Sequence, residues 1–235
     1  HQKSSLTLDS FAQELKEIKQ LIIDQHQSLY VSQINSLLNK VHLFGFHFAN
    51  LDIRQDSRKH AQFFNTLVTA LIESGSTIFP ENYFDLQEDQ QIQVLSKVQG
   101  KVDLSLIKDE EALKALHTMK AIKTIQSTNG QAAANRYIIS NNQSTLHVMQ
   151  LFAMLKIVAF DDALTVDIGP LFETITDLEN APKVMEELYT NPYYAAHLKT
   201  RANKQTIMLG FSDGTKDGGY LMANWAIYKA KENLT

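Results

Sequence analysis

Apolar residues recur along this chain first at helical and then at mixed helical and strand spacing. Leu8, Phe11, Leu15, Ile18 and Ile22 alternate threes and fours, which lines one face of a helix, and Asp9 or Ser10 is its expected cap. A second helical stretch, roughly Leu29 to Lys40, carries Ile34, Leu37 and Leu38. From Leu43 to Ile53 the sequence LFGFHFANLDI has the aromatic and β-branched content of a buried strand. Asp56-Ser57 then caps a predicted helix holding Phe63, Phe64, Leu67 and Leu71. Residues of about 75–130 carry no strand signal, only polar loops and helical patterns near 88–98 and 109–126, and read as a helical excursion.

After it, strand and helix alternate three times. Arg136 to Ser140 leads to a helix from Ser144 to about Val158. Leu164 to Phe172 leads to helices starting near Thr176-Asp177 and near Pro192, and Thr206 to Phe211 leads to one through Trp225. Strands alternating with helices, with no tight hairpin signal between them, predict an α/β fold with a parallel sheet of about four βα units, either open or part of a barrel. Residues 1–40 form a helical lead-in and 41–235 the α/β region.

Polar and ionisable residues gather where these strands stop: Asp52 and Arg54, Ser140, Glu173, and Asp213 with Lys216. In parallel α/β folds ligands bind at the carboxyl ends of strands. Period two places Asp52 and Arg54 on one strand face, able to share a cavity. Glu173 and Asp213 are the usual minimum for a Mg²⁺ that takes its other ligands from water and an anionic substrate. Arginine supplies a planar fork for phosphate or carboxylate. Glycines 214, 218 and 219 permit close backbone approach, and the helix after them offers its positive end to an anion. Each group also has an ordinary reading: Asp217 as the cap of that helix, Asp52 or Asp56 as a local partner of Arg54, and Lys216 as a solvated ammonium. His47, His147 and His197 lack metal-ligand spacing and read as structural or surface residues. Residues 210–216 lack the Gly-Lys-Ser/Thr ending of a nucleotide phosphate loop.

Composition narrows the partners. Of 235 residues 44% are hydrophobic and 20% charged, with net charge −4 and pI near 6.1. This is enough apolar mass for a sizeable core, and the acidic balance without a Lys/Arg block argues against nucleic acid or an anionic membrane. Zero cysteines exclude disulfides and thiolate metal sites and fit a cytoplasmic location. The start, HQKSSLTLDSFAQELKEIK, reads as an amphipathic charged helix and not as an apolar leader. The uncharged residues 137–155 are split by Asn141-Asn142-Gln143-Ser144 into two short elements and do not predict a membrane span.

The blocks FGFHFANLDIRQDSRKH, RYIISN, GPLFETITDLENAPKVMEELYTNPYY and MLGFSDGTKDGGYLMANWAIYKA resemble, in this order, consecutive blocks of phosphoenolpyruvate carboxylases, from about residue 41 to the end. Departures are Gly214-Thr215 where many members have Ser-Ala, Phe211 for a Tyr, and Asn50 where Arg is common. The resemblance implies part of a (β/α)₈ TIM-type barrel with extra helices, acting on phosphoenolpyruvate and bicarbonate with Mg²⁺ or Mn²⁺ to form oxaloacetate and phosphate. It implies Glu173 and Asp213 as metal ligands, Arg54 as the group holding the phosphoryl or carboxyphosphate, and Lys216 as an electrostatic support. It also implies a cytoplasmic homotetramer, of which this chain is an internal segment, inactive when isolated. Two other readings follow the same residues: another Mg-dependent barrel handling phosphoenolpyruvate, such as a pyruvate kinase-like enzyme, and a non-catalytic α/β interaction module.

Overall fold

A computed structural model of the chain describes residues 6–161 and 163–235, so the charged start at 1–5 lies outside the described residues. They divide into two compact units, one formed by the described residues up to Leu51 with Ile125–Ala133, the other by Asp52–Thr124 with Ala134–Thr235.

The first unit contains α1 (Leu8–Gln25) and α2 (Val31–Phe44). Their apolar faces meet around Ala12, Leu15, Leu38 and Val41, with Leu8, Phe11 and Ile34 packed against them. The cap of α1 is Thr7, earlier than expected: its hydroxyl accepts from the Ser10 N–H and the Ser10 hydroxyl accepts from the Thr7 N–H, both at 3.1 Å. The strand expected from Leu43 does not begin there. Helix α2 continues through Phe44, and Gly45 and Phe48 take φ of +52° and +65°, which no extended run accommodates. Phe44 stacks on Phe48 at 5.1 Å, so the aromatic residues that suggested a strand pack around a turn.

The second unit begins with β1 (Asp52–Asp56) and α3 (Ser57–Glu73), and the excursion contributes α4 (Glu88–Lys97) and α5 (Glu110–Asn129), whose residues from Ile125 on belong to the first unit. Then come β2 (Arg136–Ser140), α6 (Thr145–Val158), β3 (Asp167–Phe172), α7 (Ile175–Thr190), α8 (Pro192–Thr200), β4 (Met208–Leu209) and α9 (Ser212–Leu234). The strands form one parallel sheet in the order β1-β2-β3-β4, in register from Asp52 beside Arg136 and Arg136 beside Asp167 to Leu171 beside Met208. Strand order never reverses, so each βα step moves one strand further in the same direction, as in part of a barrel.

Strands β2 and β3 are buried on both faces, which explains why they read as continuous apolar runs. Helix α6 is buried nearly all round, from Val148 through Leu155, and forms the centre of the core. Strand β4 is two residues long where six were expected. The Gln205 side chain donates to the carbonyls of Ile168 and Thr206 at 2.8 Å and so occupies a β3 acceptor that a longer strand would have used. No helix among the described residues is long and apolar enough to cross a membrane.

Candidate functional site

Parallel strands joined by helical crossovers all finish on one edge of the sheet. Ser140 is the last residue of β2, Glu173 follows the last residue of β3, and Asp213 lies in the first turn of the helix after β4. Arg54 is the middle residue of β1, not its end. Its side chain reaches past β2, and Nη2 donates to Oε1 of Glu173 at 3.0 Å. Oε2 of Glu173 accepts the backbone N–H of Asn141 at 2.6 Å. The carboxylate thus joins the middle of β1 to the ends of β2 and β3.

The backbone of Glu173 is held as firmly. Its N–H and that of Thr174 donate to Oδ2 of Asp177, and the Thr174 hydroxyl accepts from the Asp177 N–H, a reciprocal cap that starts α7. A methyl group on Gly210 would lie 3.0 Å from Cα of Glu173 and 3.3 Å from the Phe172 carbonyl oxygen, so glycine is what lets the end of β4 close against this residue. The Gly210 N–H donates to Phe172 at 2.7 Å in the same approach.

Residues 212–218 are helical where a loop was expected, and Gly219, at φ +78°, breaks α9 before the chain resumes as a helix. Asp213 and Lys216 therefore sit one turn apart and bond to each other at 2.9 Å. Asp217 does not cap the helix that follows it. Its Oδ2 accepts the N–H of Ile175, the first residue of α7, at 3.0 Å.

The shared cavity expected for Asp52 and Arg54 does not form. Asp52 is at the amino end of β1 and pairs with Arg136 across the register at 3.2 Å. Asp56 is the residue at the carboxyl end, where it caps α3 and holds Nε and Nη2 of Arg58 at 2.9 and 2.7 Å. The Arg58 guanidinium keeps the Asp56 carboxyl below the usual carboxylate range. Neither aspartate is the partner of Arg54. His197 packs between Phe152 and Tyr194, and burial pushes its pKa down to about 4, in keeping with a structural role. Burial also lowers His147, whose Nδ1 accepts from the Gln143 N–H.

The site opens to solvent. The Arg54 side chain is 54% exposed and Glu173 14%, while Asp213 and Lys216 are 51% and 77% exposed. Arg54 with Glu173 and Lys216 with Asp213 are each a cation paired with a carboxylate. Among the described residues no group of three or more His, Asp or Glu is arranged to hold a metal ion. Two participants escaped the sequence reading, Asn141 and Ser57. Asn141 has φ +53°, a conformation that asparagine tolerates, and its polar neighbourhood had marked only a break between elements.

A family model described as phosphoenolpyruvate carboxylase matches residues 2–235. Among similar proteins, a phosphoenolpyruvate carboxylase from Synechococcus sp. is 32% identical over 234 residues, covering 96% of this chain and 22% of its own length. Those of Nitrosomonas eutropha and Nitrosomonas europaea are 37% and 36% identical, with 91% and 90% of this chain and 24% and 23% of their own lengths covered. The chain spans less than a quarter of the length of these relatives.

Proposed function

The chain belongs to the phosphoenolpyruvate carboxylase family, and on that premise we propose that it carries part of the site at which phosphoenolpyruvate and bicarbonate become oxaloacetate and phosphate. The observation that supports this most is the 3.0 Å contact between Arg54 and Glu173, which joins the LDIRQ and PLFET blocks across 119 residues. SDGTKD begins two residues after the glycine packed on Glu173. In this reading the four βα units are about half of a (β/α)₈ barrel, since closure takes eight strands.

A divalent cation, Mg²⁺ or Mn²⁺, fits the residues present. Glu173 and Asp213 are hard oxygen donors, and each Glu173 oxygen accepts one hydrogen bond, which leaves it a further lone pair. Glu173 and Asp213 would hold the ion, which when bound supplies Lewis-acid stabilisation of developing oxyanion charge.

Arg54 binds the phosphoryl group through guanidinium donors not engaged by Glu173. A bicarbonate oxygen attacks phosphorus as the bond to the enolate oxygen breaks, giving carboxyphosphate and the enolate of pyruvate. Arg54 neutralises charge on the transferring group. Carboxyphosphate then releases phosphate and CO₂, which C3 of the enolate captures. Lys216 adds positive charge beside Asp213 and favours the anionic state of whatever the site binds. Water must stay out, because a protonated enolate leaves as pyruvate. With Arg54, Asp213 and Lys216 half exposed or more, that cover comes from chain beyond these residues, in a cytoplasmic homotetramer of the relatives' length.

The test is oxaloacetate formation from phosphoenolpyruvate and bicarbonate with Mg²⁺ by the full-length protein, native beside Asp213→Asn. The expected result is metal-dependent activity that falls at least ~100-fold in the variant. An unaffected variant, or a native protein that binds metal and makes no oxaloacetate, overturns the reading.

A further inference from the structure

Ser57 opens α3 and is fully buried, yet its hydroxyl does not start the helix. The cap is Asp56, whose carboxylate takes the Arg58 N–H at 2.8 Å. The Ser57 hydroxyl instead donates to the carbonyl oxygen of Asn141, 84 residues away, at 2.6 Å. The N–H of Asn141 is the group that holds Oε2 of Glu173 at 2.6 Å. One residue further on, the Asn142 N–H donates to Leu171 at 3.1 Å and anchors the turn to β3.

Asn141 stands at φ +53°, in the left-handed region that asparagine tolerates at a smaller cost than most L-residues and that its hydrogen bonds here hold in place. Both peptide groups flanking it are tethered, the first by Glu173 at its N–H and the second by Ser57 at its carbonyl and by Leu171 at its N–H. Releasing the Ser57 tether leaves the second peptide group held only at the Asn142 N–H, so its carbonyl can turn and Asn141 can shift, which draws its N–H off the carboxylate. Glu173 would then keep Arg54 on Oε1 and lose the bond that sets the direction of Oε2.

We propose that Ser57 is a positioning residue: through Asn141 it aims the Glu173 carboxylate and thereby sets the strength of metal binding at the site. This rests on the reading above in which Glu173 is a metal ligand. Ser57 touches neither metal nor substrate. Partners at one remove from a ligand typically contribute about tenfold or more to metal affinity.

The experiment compares native full-length protein with Ser57→Ala and Ser57→Thr, titrated with Mn²⁺ and followed by electron paramagnetic resonance without substrates. Oxaloacetate formation is then measured against metal concentration. Expected are about tenfold weaker Mn²⁺ binding and a raised metal KM in Ser57→Ala, with less change in kcat, and recovery of both in Ser57→Thr, which keeps the hydroxyl. Native Mn²⁺ affinity in a folded Ser57→Ala protein, even one of lower thermal stability, overturns the proposal, since a purely packing role would leave the carboxylate aimed. Should Ser57→Ala not fold, Ser57→Cys keeps the size and weakens the donor. An intermediate Mn²⁺ affinity then supports the proposal and a native one overturns it. A native protein that binds Mn²⁺ but makes no oxaloacetate removes the carboxylase reading alone, and the affinities still decide the role of Ser57. A native protein that binds no Mn²⁺ removes both.

Discussion

His60 lies fully buried on α3 with its ring 5.3 Å from that of Tyr137, and neither ring nitrogen has a hydrogen-bond partner among the described residues. Burial lowers its pKa from the ordinary 6.5 to about 4; His147 adds to that shift and Asp56 opposes it. The folded chain therefore refuses a proton that the unfolded chain accepts between these two values. Stability is fully present above about pH 6.5 and falls as pH drops toward 4, by roughly 3 kcal/mol at the end of the window. His197, lowered to about 4 as well, acts with the same sign. Urea unfolding of the chain should show a midpoint that drops steadily from pH 7 to pH 5, and His60→Leu should make that slope shallower. A midpoint constant over this range would remove the argument. His60 falls at helical spacing on the same face as Phe63, Phe64, Leu67 and Leu71, while its contact with Tyr137 joins residues remote in the chain and only the fold shows it. Arg54 and Glu173 were legible as chemistry for the opposite reason: charged groups beside apolar strands stand out in any reading of the pattern.

At the scale of elements, chain order and type were legible and the ends were not. Asp56 caps α3 as expected, because an N-cap is a local bond between a side chain and the next turn. Asp217 has the same chemistry but caps α7 from α9, 42 residues away. No local pattern encodes a bond of that reach. Asp217→Ala should lower the stability of the chain by about 0.5–1 kcal/mol, with Asp217→Asn closer to native, as read by calorimetric or denaturant unfolding. Equal stability of native and Ala forms would show that the Ile175 N–H is satisfied by water at no cost. Likewise β4 was expected over six residues because Thr206 to Phe211 is apolar, but a strand lasts only while its neighbour offers acceptors. Gln205 takes one, and Gly210 carries the chain against Glu173 and into α9.

For the whole molecule, the candidate site residues come from β1, from the turns after β2 and β3 and from the first turn of α9, while the chain covers 22 to 24% of the length of its relatives. On the proposed function Glu173 and Asp213, already partnered by Arg54 and Lys216 and with the pair at Asp213 half exposed, would bind a metal weakly, because water competes and each cation must be outbid. The 235-residue chain alone should bind Mn²⁺ weakly and give no turnover; purified chain that makes oxaloacetate from phosphoenolpyruvate and bicarbonate would sink that expectation. The sequence by itself determined the family, through blocks such as LDIRQ and PLFET, and the alternation of strands and helices, through hydrophobic period. Both are properties of neighbouring residues. Only the tertiary structure decided that Arg54 rests on Glu173 and not on Asp52, that Asn141 and Ser57 stand behind that carboxylate, and that the aromatic run at 43–48 is a helix end and a turn. Each of those depends on contacts between residues remote in the chain, whose partners are fixed by the packing of strands and helices and leave no mark on local spacing.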